Sequence, residues 1–396
     1  MFDWFLKFLG FRKVNRGHVP PLPDVEAESI EDDVTEDTDG GTGEAVMMWE
    51  DEESEELEDL DDGVVALAEL ESPSSVVVEW EGDKPWDLGV AAESTDGNAI
   101  RVAIKDKLDE LKEAAGESAV DKKFLARLSR VIDSDQLDLP PFPDIAQQLD
   151  DLLNDRSVNV VRIAKVVEKD PGLVRRVWSK ASGAMYMTAP SSLHHAVARI
   201  GLDTLWRIGM NVCMHDTVFR IQEYQEDADE VRSHGIITAE VAAWMGNERR
   251  GSIYMAGLLH DVGKLIIYRT ASGRKASDVP SRALVDAVCR ETHAGLGVLV
   301  THAWRLDQQV SAGVAFHHDP MVAPENAART PRLVQAAHIA AHEALLRKNG
   351  IDAGGMEALR SLRGVIINPA RTVQKALQVA EEIGLGPTSP AESPAE

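Results

Sequence analysis

Cysteine is nearly absent: of 396 residues only Cys213 and Cys289 carry a thiol. Both stand in apolar, helix-like contexts, so no disulfide framework can be drawn and a reducing compartment fits. Long hydrophobic runs are missing too. No stretch approaches the roughly 18 to 20 apolar residues that span a bilayer, and the N-terminus lacks a long apolar core with a small-residue cleavage site. A soluble, cytoplasmic protein is expected. Positive charge is absent from one long segment, because no Lys or Arg lies between Arg16 and Lys84. The formal net charge of −26 is therefore local: residues 1–16 contribute +3, residues 17–83 contribute −25, and the rest −4. The folded part has little electrostatic support for nucleic-acid binding, and no nucleic-acid partner is expected.

What is present divides the chain. Residues 1–13, MFDWFLKFLGFRK, place Phe2, Phe5, Phe8 and Phe11 at three-residue spacing, half of the eight phenylalanines. Such a segment suits an interfacial anchor at the inner membrane, a helix that docks in a partner's groove, or packing on the protein's own body. Residues 14–98 are acidic and rich in Gly, Ser and Pro, without sustained periodicity, and are expected to be a disordered linker. Two apolar islands interrupt it, Ala45 to Trp49 and Ser75 to Trp86. From Ile100 the apolar residues recur at three and four, as in Ile100, Ile104, Leu108 and Leu111 and again in Phe124, Leu125, Leu128 and Ile132, which predicts a helical lead-in over 99–134.

Further on, Asp144 is placed to cap a helix, a second helix runs over Val160 to Glu168, and a third starts at Pro171. Ser191-Ser192 precede another, which Gly201 stops. Helices with short joints continue to about residue 349, and alternating strand patterns are missing, so the folded part is expected to be all-α. Residues 326–383 read as C-terminal helices, with a clear pattern over Ala370 to Ile383. Residues 384–396 are Pro- and Ser-rich and are expected to be a disordered tail.

The stretch from Tyr254 to Tyr268, YMAGLLHDVGKLIIY, reads as one apolar helix with a narrow polar stripe. With His260 at 0° and about 100° per residue, Asp261 falls near 100° and Lys264 near 40°. Gly257 falls near 60°, inside that arc, where a missing side chain leaves room for a ligand. A buried imidazole beside a buried carboxylate must be neutralised, hydrogen-bonded or bound to a cation. A divalent metal satisfies both groups. A neutral His260, with Asp261 capping backbone or pairing with Lys264, satisfies them as well.

Eleven of the twelve histidines lie between His194 and His342. His234, the His260-Asp261 pair, His293 and the His317-His318 pair are separated by about one helix plus a turn each, so a bundle core can bring them together. Imidazole with carboxylate suits manganese, iron, nickel or zinc better than calcium, and an open position on such an ion can activate water against phosphorus. His194, His195, His215 and His302 read as ordinary core or surface residues.

LPPFPDIAQQLDDLL, VVEKDPGLVRRV, AMYMTAPSSLHHAVARIGLDTL, GLLHDVGKLIIY, ETHAGLGVLV and AFHHDP occur in that order between about Asp135 and Pro320. In these motifs the chain resembles the HDOD domain family, within the HD phosphohydrolase superfamily. The resemblance implies two packed helical lobes over 135–325, the second HD-like, and a bacterial signal-transduction output or scaffold module that binds a protein partner without catalysis. It also implies an alternative, a metal-dependent phosphohydrolase or nucleotide phosphodiesterase. In that alternative the metal ligands are His234, His260, Asp261 and His338, while His293, His317 and His318 complete a second metal or grip phosphate and Lys264 offsets phosphate charge.

Two departures weigh against turnover. The histidine pair runs into DPMVAP and not into the acidic Gly-Tyr-Pro segment of the cyclic-dinucleotide phosphodiesterases. In the helix capped by Thr330, His338 takes the place of the late aspartate that HD enzymes use. His338 is expected on the apolar face with Val334, Ala341 and Leu345, with His342 a chance neighbour and Lys264 a solvated residue. Vesicle pelleting tests the aromatic segment. If it is a membrane anchor, the full chain pellets and a chain starting at Gly17 does not; equal behaviour removes the membrane.

Overall fold

The computed structural model describes Phe11–Val14, Val77–Trp80 and most of residues 96–383. Residues 1–10, 15–76, 81–95 and 384–396, and joints such as 115–117, 135–141, 184–187, 215–220, 349–354 and 363–367, lie outside the described part. The expectations for the aromatic N-terminus, most of the acidic segment and the tail fall there, as does His215.

Among the described residues the protein is all-α apart from one small ribbon. β1 (Phe11–Val14) pairs antiparallel with β2 (Val77–Trp80), Phe11 opposite Trp80 and Val14 opposite Val77. The ribbon lies outside the part from Ile100 onward, whose described elements are helical as expected. The β-branched run in the second apolar island suits an extended backbone, and its partner lies far away in sequence, where local periodicity has no view of it.

Helices follow in order: α1 (Gly97–Ala114), α2 (Ala119–Asp133), α3 (Asp144–Asn154), α4 (Val160–Val167), α5 (Pro171–Ala181), α6 (Leu193–Met210), α7 (Gln225–Met245), α8 (Ser252–Leu259) and α9 (Val262–Ala271). Then come α10 (Arg282–Ala303), α11 (Gln308–Phe316), α12 (Arg329–Lys348), α13 (Gly355–Ser361) and α14 (Pro369–Glu382). Their starts are chemically specified, since short polar side chains satisfy the first-turn N–H groups. Asp170 Oδ1 accepts from Gly172 N at 2.7 Å and Leu173 N at 3.0 Å, with Pro171 at the first position where no N–H is needed. Ser192 and Asn368 cap α6 and α14 in the same way. Two expected caps are corrected. Pro143 stands at the α3 cap without a side-chain bond, leaving Asp144 in the first turn. Thr330 lies inside α12, where its hydroxyl donates to Gln309 Oε1.

Two lobes share a continuous core. In the first, α3, α4 and α5 pack on α6. In the second, α8 and α12 pack on α7, α10 on α9, and α11 on α8, α10 and α12, around Tyr254, Leu258, Leu265 and Val298. The lead-in hairpin α1–α2 lies on α9 and α10, with Ile100, Ile104, Leu108, Phe124, Leu128 and Ile132 buried. Asp121, buried, accepts from both the backbone N (2.8 Å) and the hydroxyl (2.9 Å) of Ser281, tying α2 to the start of α10. Between the lobes, Arg207 pairs with Glu240 at 2.5 Å, and Trp206 meets Tyr254 edge to face. A separate apolar cluster forms where α12 packs on α7 and α14. Ala336, Ala337, Ala340, Ala341 and Ala344 are fully buried there, small enough for α12 to lie close to helices on both sides.

Gly201 interrupts α6 at φ 76° and ψ 166°, a region essentially reserved for glycine. A side chain there would meet nothing within 4 Å. Gly201→Ala is therefore expected to cost about 1–3 kcal/mol through backbone strain alone, read as a lower urea midpoint at unchanged m-value.

Candidate metal centre

The stretch Tyr254 to Tyr268 is two helices, not one. α8 ends at Leu259, α9 starts at Val262, and Asp261 sits between them at φ −103° and ψ 8°. The break turns His260 and Asp261 into the same volume. Gly257 does not leave room for a ligand: a Cβ there would lie 2.7 Å from Ala239 Cα and 3.1 Å from Thr238 O, so the glycine lets α8 approach the backbone of α7. That approach carries His234, one turn before Thr238 on α7, to the His260-Asp261 junction.

Every candidate histidine meets there. His234 Nε2 and His260 Nε2 each lie 3.0 Å from His338 Nδ1. His260 Nε2 is 3.3 Å from Asp261 Oδ2, and these four residues form one potential ligand group. His293, His317 and His318 form a second, with His293 Nε2 2.9 Å from His318 Nε2 and 3.5 Å from His317 Nε2. Asp261 lies between the groups, its other oxygen, Oδ1, 3.4 Å from His293 Nε2 and 4.0 Å from His317 Nε2. His194, His195 and His302 belong to neither group.

Two expectations are corrected. Lys264 is buried, and its ammonium donates to Asp261 Oδ2 at 2.9 Å. With α9 starting after Asp261, the lysine one turn on folds back over the carboxylate. His342 is no chance neighbour, since its ring lies 4.1 Å from that of His234 and 4.3 Å from that of His338. The signal was in the sequence, as His338 and His342 are four apart and share one face of α12.

Backbone carbonyls orient three of the rings. Gly257 O lies 2.8 Å from His260 Nδ1, Cys289 O 2.7 Å from His293 Nδ1, and Val314 O 2.8 Å from His317 Nδ1. A ring that donates its Nδ1–H to its carbonyl turns the Nε2 lone pair inward, the arrangement found behind metal-bound histidines. His338 Nδ1 then faces inward nitrogens on both sides. If it carries no proton, it opposes the His260 lone pair at 3.0 Å. If it carries one, His234 holds its own proton on Nδ1, a buried atom with no hydrogen-bond partner. A proton or a metal ion would resolve the conflict. The donor set of imidazoles with one carboxylate fits a divalent transition metal.

Electrostatics follow from depth. Burial raises the Asp261 carboxyl, but the Lys264 ammonium and the His260 contact outweigh it and hold the group well below the usual carboxylate range. Burial, reinforced by neighbouring imidazoles, pushes His234, His317, His318 and His338 well below the ordinary histidine value. Burial first, then Lys264, takes His293 to about 4 and His342 to about 3.

These helices and this cluster place the chain among all-α proteins with a histidine-aspartate core. Residues 139–320 match the HDOD domain family, and that part of the chain is an HDOD domain. Six of the seven candidate ligands lie inside the match; His338, on α12, lies beyond it. No curated protein matches the chain. Among solved structures, a Shewanella amazonensis protein provisionally named a metal-dependent phosphohydrolase is 18% identical, with a TM-score of 0.49, covering 67% of this chain and 99% of that one. An HDOD domain protein of unknown function from Geobacter sulfurreducens is 21% identical, with a TM-score of 0.46, covering 66% and 96%. No helix among the described residues is long and apolar enough to cross a membrane.

The lowered histidines set an acid limit. Unfolded, each takes up a proton below about 6.5, whereas folded His293 and His342 wait until about 4 and about 3. The unfolded chain therefore binds more protons in that window, so this stability is complete above about pH 6.5 and is lost as pH falls. Asp227, Glu230 and Glu240, raised chiefly by burial, work in the opposite direction. Metal-stripped protein should melt at a lower temperature at about pH 5 than at about pH 7.5. His342→Asn should flatten the slope by about 1.4 kcal/mol per pH unit between about pH 4 and 6.

Proposed function

We propose that this chain is a bacterial, cytoplasmic signal-transduction output protein whose HDOD domain holds a divalent metal as part of its framework and acts by binding a protein partner, without turnover. The observation that carries this reading is the contact between Lys264 Nζ and Asp261 Oδ2, 2.9 Å inside the cluster. The lysine balances the charge of the cluster's single carboxylate, which leaves little negative charge to hold a pair of ions for hydrolysis. Closure points the same way. His260 and His317 are 0% exposed and Asp261 2%, so a phosphoester would have to approach these donors past the half-buried His318. In this reading the acidic segment is a solvated tether, and the aromatic N-terminus directs the protein to its partner or to the inner membrane.

A second reading, a metal-dependent phosphohydrolase or nucleotide phosphodiesterase, is favoured by one feature. Asp261 sets one oxygen near each histidine group, Oδ2 3.3 Å from His260 Nε2 and Oδ1 3.4 Å from His293 Nε2, so that it could serve as a ligand on either side. Manganese, iron, nickel or zinc held there would supply a Lewis acid and a water of lowered pKa. The chain's own part would be to hold three inward imidazoles by their carbonyl bonds and to set the Lys264 ammonium against phosphate charge.

Elemental analysis of protein purified without chelators or a histidine tag, beside Asp261→Ala, is expected to find metal that the variant loses. Nucleotide and phosphoester substrates, with each of the four metals supplied, are expected to stay intact. Metal-stimulated release of phosphate or cleaved nucleotide, abolished in a folded Asp261→Ala, would replace the first reading with the second.

A further inference from the structure

The metal-holding reading leaves open how many ions enter and of which kind, and the charges around the cluster bear on both. Seven imidazoles share the volume: His234, His260, His293, His317, His318, His338 and His342. The two ligand groups contain a single carboxylate, Asp261, and its charge is already balanced by Lys264. The nearest acidic residues in sequence are committed elsewhere. Glu343, fully buried, accepts from Gly355 N at 2.9 Å and from Arg347 Nε at 2.6 Å. Asp319, beside His318, caps its own turn through Met321 N. One divalent ion already places two positive charges against a pair whose own sum is zero. Two ions would leave four buried charges with no added anion, and burying uncompensated charge is strongly unfavourable.

His338 is where this limit is set. Its Nδ1 is 3.0 Å from the nearest nitrogens of His234 and His260, and its ring centre is 5.7 Å from that of His317 and 5.6 Å from that of His318. With Asp261 and His260 it is one of the side chains that face both groups, and as an imidazole it brings no negative charge. A carboxylate at the same place would add the missing negative charge within reach of either group, together with a hard oxygen donor. Neutral nitrogen donors favour borderline ions such as zinc and nickel over manganese and magnesium, which favour oxygen.

Resting on the metal-holding reading above, we infer that the centre takes one borderline divalent ion and not two, and that His338 sets both the number and the preference. The test uses metal-stripped full-length protein, equilibrium dialysis against zinc or manganese with elemental analysis, and competition between the two. Wild type is expected to saturate at one zinc per chain. His338→Asp is expected to accept a second ion from excess manganese and to lower the preference for zinc over manganese by at least about tenfold. His338→Asn, which supplies no charge, is expected to accept no second ion. Two zinc ions in the wild type would overturn the inference, as would a folded His338→Asp with unchanged stoichiometry and preference. Should His338→Asp fail to fold, His338→Glu takes its place, and a folded His338→Glu with unchanged stoichiometry and preference overturns the inference. No metal in the wild type would defeat the metal-holding reading itself, whereas one ion with an indifferent His338→Asp would defeat only this inference.

Discussion

One carboxylate, one ammonium and six imidazoles share a buried volume, with His318 half-buried at its edge, and the rest of the second lobe is arranged around that constraint. Charge there must be matched locally or replaced by hydrogen bonds. Asp261 and Lys264 match each other across 2.9 Å. Three imidazoles are satisfied on their outer edge by the carbonyls of Gly257, Cys289 and Val314, which come from the same helices three or four residues earlier. Each helix thus supplies both the ring and the acceptor that aims it. The inner edges are left facing one another, and a cation is what they have in common.

Helix geometry serves that arrangement at specific places. The break between α8 and α9 allows His260 and Asp261 to point into one volume, where a continuous helix would have separated them by about 100°. The close approach at Gly257 brings α7, and His234 with it, up to the break. α12 lies between α7 and α14 through its row of alanines, and the same helix presents His338 and His342 to the cluster. The C-terminal helices thereby support a centre most of whose residues belong to the HDOD domain.

Much of this was legible in the sequence. The periodic apolar residues from Ile100 to Ile132 are the buried face of the lead-in hairpin, because a 3.6-residue period has one physical meaning on an amphipathic helix. Asp170-Pro171, Ser192 and Gly201 marked helix boundaries through local hydrogen bonding and backbone freedom, which depend on neighbours in the chain. The gaps between His234, His260, His293 and His317 were those of successive bundle helices, and the structure brings these residues together. Less was legible where distant elements decide. The ribbon joins residues 11–14 to 77–80, a pairing that no local pattern announces. Gly257 read as ligand space until Ala239, from another helix, was seen to fill it.

By itself, then, the sequence determined the helical character, the boundaries set by caps and glycine, and which residue types were available for metal chemistry, because each of these rests on interactions within a few residues. Only the tertiary structure decided how those residues meet. It placed Lys264 on Asp261, set the His342 ring against that of His234, and gave His338 a position facing both histidine groups. Those relations come from the packing of separate helices, and packing distances between helices are not encoded in the spacing along any one of them.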